Sequence, residues 1–138
     1  MLKIQLIDMP FGSLDYPSFA LTQLKFIAKK YFKNLIDIEI VYANHDFALF
    51  FGINEYRMVD EVNRYGNNYE TGIYNYGIGE WLFQKITFPN WEAPEKEQSY
   101  LHSYKHNQYL LEHVLCKRQE IEDFFEHIIL KVGKSRYK

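Results

Sequence analysis

Apolar and polar residues alternate with a period of two at the start of the chain, where Leu2, Ile4 and Leu6 are separated by Lys3 and Gln5 ahead of Ile7 and Asp8. That period belongs to a strand buried mainly on one face, and it predicts a first strand over Leu2–Asp8. Met9-Pro10-Phe11-Gly12-Ser13 ends it, because Pro10 removes a backbone donor and Gly12 permits a turn. The period then lengthens. After Tyr16-Pro17-Ser18, the residues Phe19, Leu21, Leu24, Ile27, Ala28 and Tyr31 form an apolar stripe of helical spacing. Pro17 suits a first helical turn, Asp15 favours its positive end, and Lys25, Lys29, Lys30 and Lys33 complement the dipole at the other end. From Ile36 to Ala43 strict alternation returns, with Ile36, Ile38, Ile40 and Tyr42 set against Asp37, Glu39 and Val41. Strand, helix and strand at this spacing make a βαβ unit with parallel strands.

Beyond Asn44 the apolar spacing is again helical, through Phe47, Phe50, Phe51, Ile53, Tyr56, Met58, Val59 and Val62, with Gly52 as a natural break. Asn63 to Gly79 is rich in Asn, Tyr and Gly and reads as an irregular loop with an aromatic rim. Glu80 to Ile86 is a short amphipathic segment carrying Trp81, Leu82 and Phe83, closed by Pro89 to Pro94. Ser99 then caps a long helix over 99–133 that Gly133 stops. The expected class is α/β: a partial Rossmann-like βαβ unit over 1–48 with two parallel strands, a helical and loop region over 49–98, and a helix-rich C-terminal half, in a single domain. Parallel sheets normally have both faces covered and more than two strands. Either the loop hides a third strand or a neighbouring segment completes the sheet, and self-association is one route to that.

Composition narrows the function more by exclusion than by indication. With 138 residues and 47% hydrophobic content the chain can build one packed core. Its formal charge of −2 supplies no basic field, so nucleic acid is not an expected partner. Cys116 is the single cysteine, which excludes an intrachain disulfide, a zinc–cysteine cluster and an iron–sulfur cluster built from this chain alone. The N-terminus lacks a signal-peptide pattern and no run approaches ~20 apolar residues, so a cytoplasmic address with no membrane partner is expected.

Two turns carry the candidate site. Met9 to Ser18 lies at the carboxyl end of the first strand and the start of the next helix, where α/β folds hold anionic and cofactor ligands. Ser13, Ser18 and nearby amides suit a phosphate, amide or hydroxyl group, although an ordinary capped turn has the same residues. Asn44-His45-Asp46 follows the second strand at the same edge, where Asn44 or Asp46 serves equally as a helix cap. Further along, His102, His106 and His113 share a narrow helical stripe but lack the H-E-x-x-H pattern and a third ligand. Glu80 beside Trp81 and Phe83 is either an acid with a raised pKa in a dry pocket or a helix-start residue beside core anchors. Cys116 has no motif around it and reads as an inert thiol.

The order of several motifs resembles the N-terminal cobalamin-binding-like region of ribosomal peptide (RiPP) maturation radical S-adenosylmethionine (SAM) proteins. The pieces are Asp8-Met9-Pro10-Phe11, Ser13-Leu14, Pro17-Ser18, Leu21-Thr22-Gln23-Leu24-Lys25, Tyr42-Ala43-Asn44-His45-Asp46-Phe47-Ala48, Gly79-Glu80-Trp81-Leu82-Phe83 and Phe88-Pro89, then a helix like Leu110 to Lys131. The resemblance covers essentially the whole chain and implies a module of a peptide-modifying radical enzyme, with methyl transfer among the reactions of such proteins. It implies cobalamin as cofactor, with Ser13, Leu14, Ser18, Asn44 and Asp46 as the cofactor-facing set, and a radical SAM catalytic polypeptide or precursor peptide as partner. Two departures limit it. No C-x-x-x-C-x-x-C motif is present, so no catalysis is expected from this chain alone, and no D-x-H-x-x-G motif assigns a cobalt-ligating histidine, so His45 is not given that role. The other reading of the residues is a peptide- or protein-binding scaffold that pairs through its sheet edge and aromatic loop.

Overall fold

In the computed structural model, which describes residues 1–65, 78–90 and 108–134, the two alternating segments pair as expected. Strand β1 (Leu2–Asp8) and strand β2 (Ile36–Tyr42) run parallel, in a register that sets Leu2 beside Ile36, Ile4 beside Ile38 and Asp8 beside Tyr42. Among the described residues the sheet has these two strands. Helix α1 (Phe19–Phe32) and a 3-10 turn over Lys33–Leu35 make the crossover, and α1 packs against β2. The protein is therefore α/β, a partial βαβ unit followed by a helix-rich C-terminal half.

Helix α1 starts two residues later than Pro17 suggests. Ser18 is the N-cap, its Oγ accepting the Leu21 amide at 3.4 Å, so Pro17 precedes the helix instead of occupying its first turn. The apolar stripe also behaves differently from its sequence reading. No residue of α1 is buried; Leu21 and Ala28 are half-buried, while Phe19, Leu24, Phe26, Ile27 and Tyr31 are exposed. Spacing shows that a helix has an apolar side, but not that a partner covers it.

The chain divides into two compact units. The first comprises 1–50 and 125–138, the second 51–124. In the first unit, Ile36, Ile38, Val41, Ala43, Asn44, Phe47 and Ala48 are buried. Helix α2 (Ala43–Phe51) follows β2 directly, and after Gly52 the chain continues as α3 (Ile53–Tyr65). Gly52 adopts φ 102°, a left-handed value that a side chain disfavours, which explains the break between the two helices.

In the second unit, α4 (Ile78–Thr87) and α5 (Gln108–Gln119) contact each other. Its buried residues include Phe51, Tyr56, Val59, Trp81, Leu82, Leu110 and Val114. The guanidinium of Arg118 lies 3.7 Å from the ring centroid of Trp81, and its Nη2 donates to Gln84 Oε1 at 3.2 Å. The long C-terminal helix expected from the pattern is two helices in this stretch, α5 and α6 (Ile121–Lys134), with a bend at Glu120. Its proposed cap at Ser99, together with His102, His106 and most of the tyrosine-rich loop, lies outside the described residues. No helix of the described residues is long and apolar enough to cross a membrane.

Candidate functional site

At the carboxyl edge of the parallel strands, the turn after β1 and the start of α2 meet, as βαβ geometry requires. Asn44, fully buried at the head of α2, donates from Nδ2 to the Ser13 carbonyl at 2.9 Å and so clasps the two connections together. Its other amide atom, Oδ1, is buried without a hydrogen-bond partner. An amide oxygen in that state is disfavoured by roughly 1–3 kcal/mol, and such groups concentrate where a fold is shaped for something other than its own stability.

The turn itself is strained. Gly12 N–H donates to the Met9 carbonyl at 3.2 Å, and Phe11, the third residue of that turn, has φ 68°. This is the place in a type II turn where glycine or asparagine is usual. The Phe11 ring meets Phe47 edge-on at a centroid separation of 5.3 Å, a contact that helps hold the unfavourable backbone. Sequence reading credited Gly12 with the conformational freedom, but Gly12 is needed for its lack of a side chain. A Cβ there would stand 3.0 Å from Asp8 Oδ1 and 3.3 Å from both Asn44 Nδ2 and the Met9 carbonyl. Glycine thus lets Asp8, Ser13 and Asn44 crowd one small volume.

Asp8 ends β1 inside this group. Burial pushes its carboxyl pKa above the usual value, and the nearby His45 partly opposes the shift. His45 is exposed and stacks on Tyr42 at 5.4 Å between centroids. Asp8 and Phe11 were not singled out as site residues from the sequence. The Asp8-Met9-Pro10-Phe11 string was visible, but the strain at Phe11 and the crowding around Gly12 need coordinates.

The five sequence-derived candidates have distinct local roles. Ser13 Oγ accepts the amides of Asp15 and Tyr16, both at 3.3 Å, and Ser18 Oγ caps α1. Each hydroxyl still has its own proton to donate, since accepting N–H groups uses only oxygen lone pairs. Leu14 is half-buried. Asp46 Oδ2 is 2.5 Å from Lys131 Nζ of α6, an ion pair within the first unit. The structure therefore brings Ser13 and Asn44 into direct contact, while Ser18 is occupied at its helix start and Asp46 with Lys131.

In its chemistry the edge offers hydroxyl donors at Ser13 and Ser18, a buried amide acceptor at Asn44 and a carboxyl of raised pKa at Asp8. That set fits a neutral ligand rich in amides and hydroxyls better than it fits a bare metal ion. No group of three or more potential metal-ligating side chains occurs among the described residues. Elsewhere, His113 hydrogen-bonds through Nε2 to the Phe51 carbonyl, and Cys116 is exposed with Sγ 3.9 Å from Glu120 Oε1. Trp81 is buried and Phe83 half-buried, as core anchors are. Comparison with protein-family models, with curated proteins and with solved structures gives no match.

Proposed function

We propose that this chain is the N-terminal cobalamin-domain-like module of a ribosomal-peptide (RiPP) maturation radical SAM system, working in the cytoplasm and not catalytic alone. Peptide modification, with methyl transfer among the reactions of such systems, is then performed by a radical SAM catalytic polypeptide that this module serves. The observation that carries the reading is the Asn44 to Ser13 clasp at the carboxyl edge of a parallel βαβ unit. It joins the two connections that line the ligand edge in Rossmann-like folds. The order of sequence motifs supports the same assignment, since the clasp is built from two of them.

Cobalamin is the cofactor this reading entails, and it would supply methyl-carrying chemistry to the partner enzyme. Ser13 and Ser18 would donate hydroxyl protons to its amide or phosphate oxygens, Asn44 would accept at Oδ1, and Leu14 would offer apolar contact. The test is titration of the purified chain with hydroxocobalamin, followed by gel filtration. Colour that travels with the protein, with a shifted spectrum, supports the reading. A colourless protein peak, unchanged when a radical SAM partner is added, counts against it.

A second reading has its own supporting observation. The sheet has two strands among the described residues and α1 buries none of its side chains, as expected of a scaffold that docks another polypeptide along its sheet edge. The two readings are compatible, because a module that serves another enzyme must dock to something.

A further inference from the structure

Two side chains that the fold leaves with unusual surroundings converge beside Gly12. Asn44 is fully buried and its Oδ1 has no hydrogen-bond partner, while the half-buried Asp8 ends β1 in the same corner. The position a Cβ would take at Gly12 lies 3.0 Å from Asp8 Oδ1 and 3.3 Å from Asn44 Nδ2, so the missing side chain is what lets the carboxyl and the amide share one small volume.

A carboxamide offers two N–H donors and an acceptor. At Asn44 one N–H donates to the Ser13 carbonyl at 2.9 Å, which leaves the second N–H and Oδ1 on the same amide. A carboxylate only accepts and suits that N–H alone, whereas a carboxylic acid also has a proton to donate and suits both. Asp8 therefore matches the amide in its protonated form. Burial favours that form by raising the Asp8 pKa, against the opposing charge of His45.

From this arrangement we infer that Asp8 is a proton-operated latch on the candidate site: protonated, it gives its O–H to Asn44 Oδ1 and accepts the second amide N–H; ionised, it leaves Oδ1 to a ligand. The inference rests on the ligand reading above, in which Oδ1 accepts from the ligand, and deepens it by naming how that atom is regulated. Proton and ligand compete for one oxygen, so acidification closes the site. His45, exposed on α2, acts on Asp8 through its charge and stacks on Tyr42, the β2 residue level with Asp8. Positive charge there favours the carboxylate and works against the latch. Asp46 of the same helix is paired with Lys131 of α6.

The test needs no ligand. In the whole 138-residue chain labelled with 15N and 13C, the Asp8 carboxyl carbon reports its own titration and the Asn44 side-chain N–H signals report the amide. The expected result is that the Asn44 signals move with the Asp8 midpoint. Corrected for its intrinsic pH dependence, hydrogen exchange at Asn44 Nδ2 slows roughly fivefold in the protonated state, as one net hydrogen bond gives. Asp8→Asn, which carries a donor and an acceptor at every pH, holds the Asn44 signals at their latched positions. His45→Gln, a change at an exposed position, moves the shared midpoint upward.

Asn44 signals that stay still while Asp8 titrates, or that move with a midpoint other than that of Asp8, overturn the latch. So does an Asp8→Asn variant whose Asn44 signals match those of the parent at neutral pH; should that variant not fold, the titration of the parent decides alone. None of these readings depends on hydroxocobalamin, so failure of the cofactor assignment is separately visible. With hydroxocobalamin as the probe, a chain that binds it loses affinity as pH falls through the Asp8 midpoint, and affinity that stays constant across that midpoint overturns the competition.

Discussion

Replacing Asn44 tests the clasp most directly, because its two amide atoms stand in opposite situations. Asn44→Ala removes the 2.9 Å bond to the Ser13 carbonyl, a loss of about 1 kcal/mol. Three buried heavy atoms also vanish, leaving a small cavity that costs about 1 kcal/mol. Against this, the buried Oδ1 without a partner disappears as well, which returns roughly 1 kcal/mol. The net expectation is a loss of about 1 kcal/mol. Asn44→Asp keeps the shape but exchanges the donor for a second acceptor, setting a buried carboxylate against a carbonyl. An uncompensated buried charge costs about 3–5 kcal/mol, a large part of a total stability of about 5–15 kcal/mol. In urea melts with a slope of about 2 kcal/mol per molar, the midpoint should fall by about 0.5 M for the alanine variant and about 1.5 M or more for the aspartate at pH 7. Lowering the pH should narrow the gap, since the protonated acid can donate to Ser13 as the amide did. The reasoning is refuted if the two variants unfold at the same urea concentration at pH 7, for then Nδ2 does not face the carbonyl.

Further expectations follow from the other special positions. Gly52→Ala places a side chain at φ 102° and should lower stability by about 1–3 kcal/mol in the same melts; no change would mean that the backbone there relaxes. The folded-state pKa of Asp8 is raised, chiefly by burial, so the folded protein holds this proton in a pH range where the unfolded chain has released it. Stability linked to Asp8 is therefore present below its unfolded pKa and falls as pH rises through the folded one; Asp8→Asn should remove that fall and leave the protein no less stable at pH 7 than the parent. Arg118→Ala removes the contact over Trp81 and the bond to Gln84, an expected loss of about 2–4 kcal/mol, accompanied by a change in tryptophan fluorescence; a stable variant with an unchanged spectrum would contradict it.

How much of this was legible from the sequence depended on the range of the signal. The period-two runs of β1 and β2 and the helical run between them reflect local chemistry, and their boundaries lie within a residue or two of those read from the pattern. Gly52 announced its break for a similarly local reason. The bend at Glu120 was not visible, because apolar residues continue at helical spacing on both sides of it. At the site, the meeting of the two turns followed from βαβ topology. What Ser13 and Asn44 do for each other did not, because a hydrogen bond spanning 31 positions of sequence leaves no periodic trace. Phe11 was missed for the opposite reason: its backbone conformation contradicts its residue type, and only the packing against Phe47 makes sense of that. The exposure of α1 could not be read from its stripe, because an amphipathic pattern is the same whether the apolar side is covered or open.

The direction of the two strands has one more consequence. Any strand added in parallel to β1 would arrive with its carboxyl end beside Asp8, delivering its following loop to the edge of the sheet where Ser13 and Asn44 meet. Docking and ligand binding would then be thermodynamically linked: whatever factor the partner adds to ligand affinity, the ligand must add to partner affinity. A module of that kind would respond most strongly when both molecules are present together.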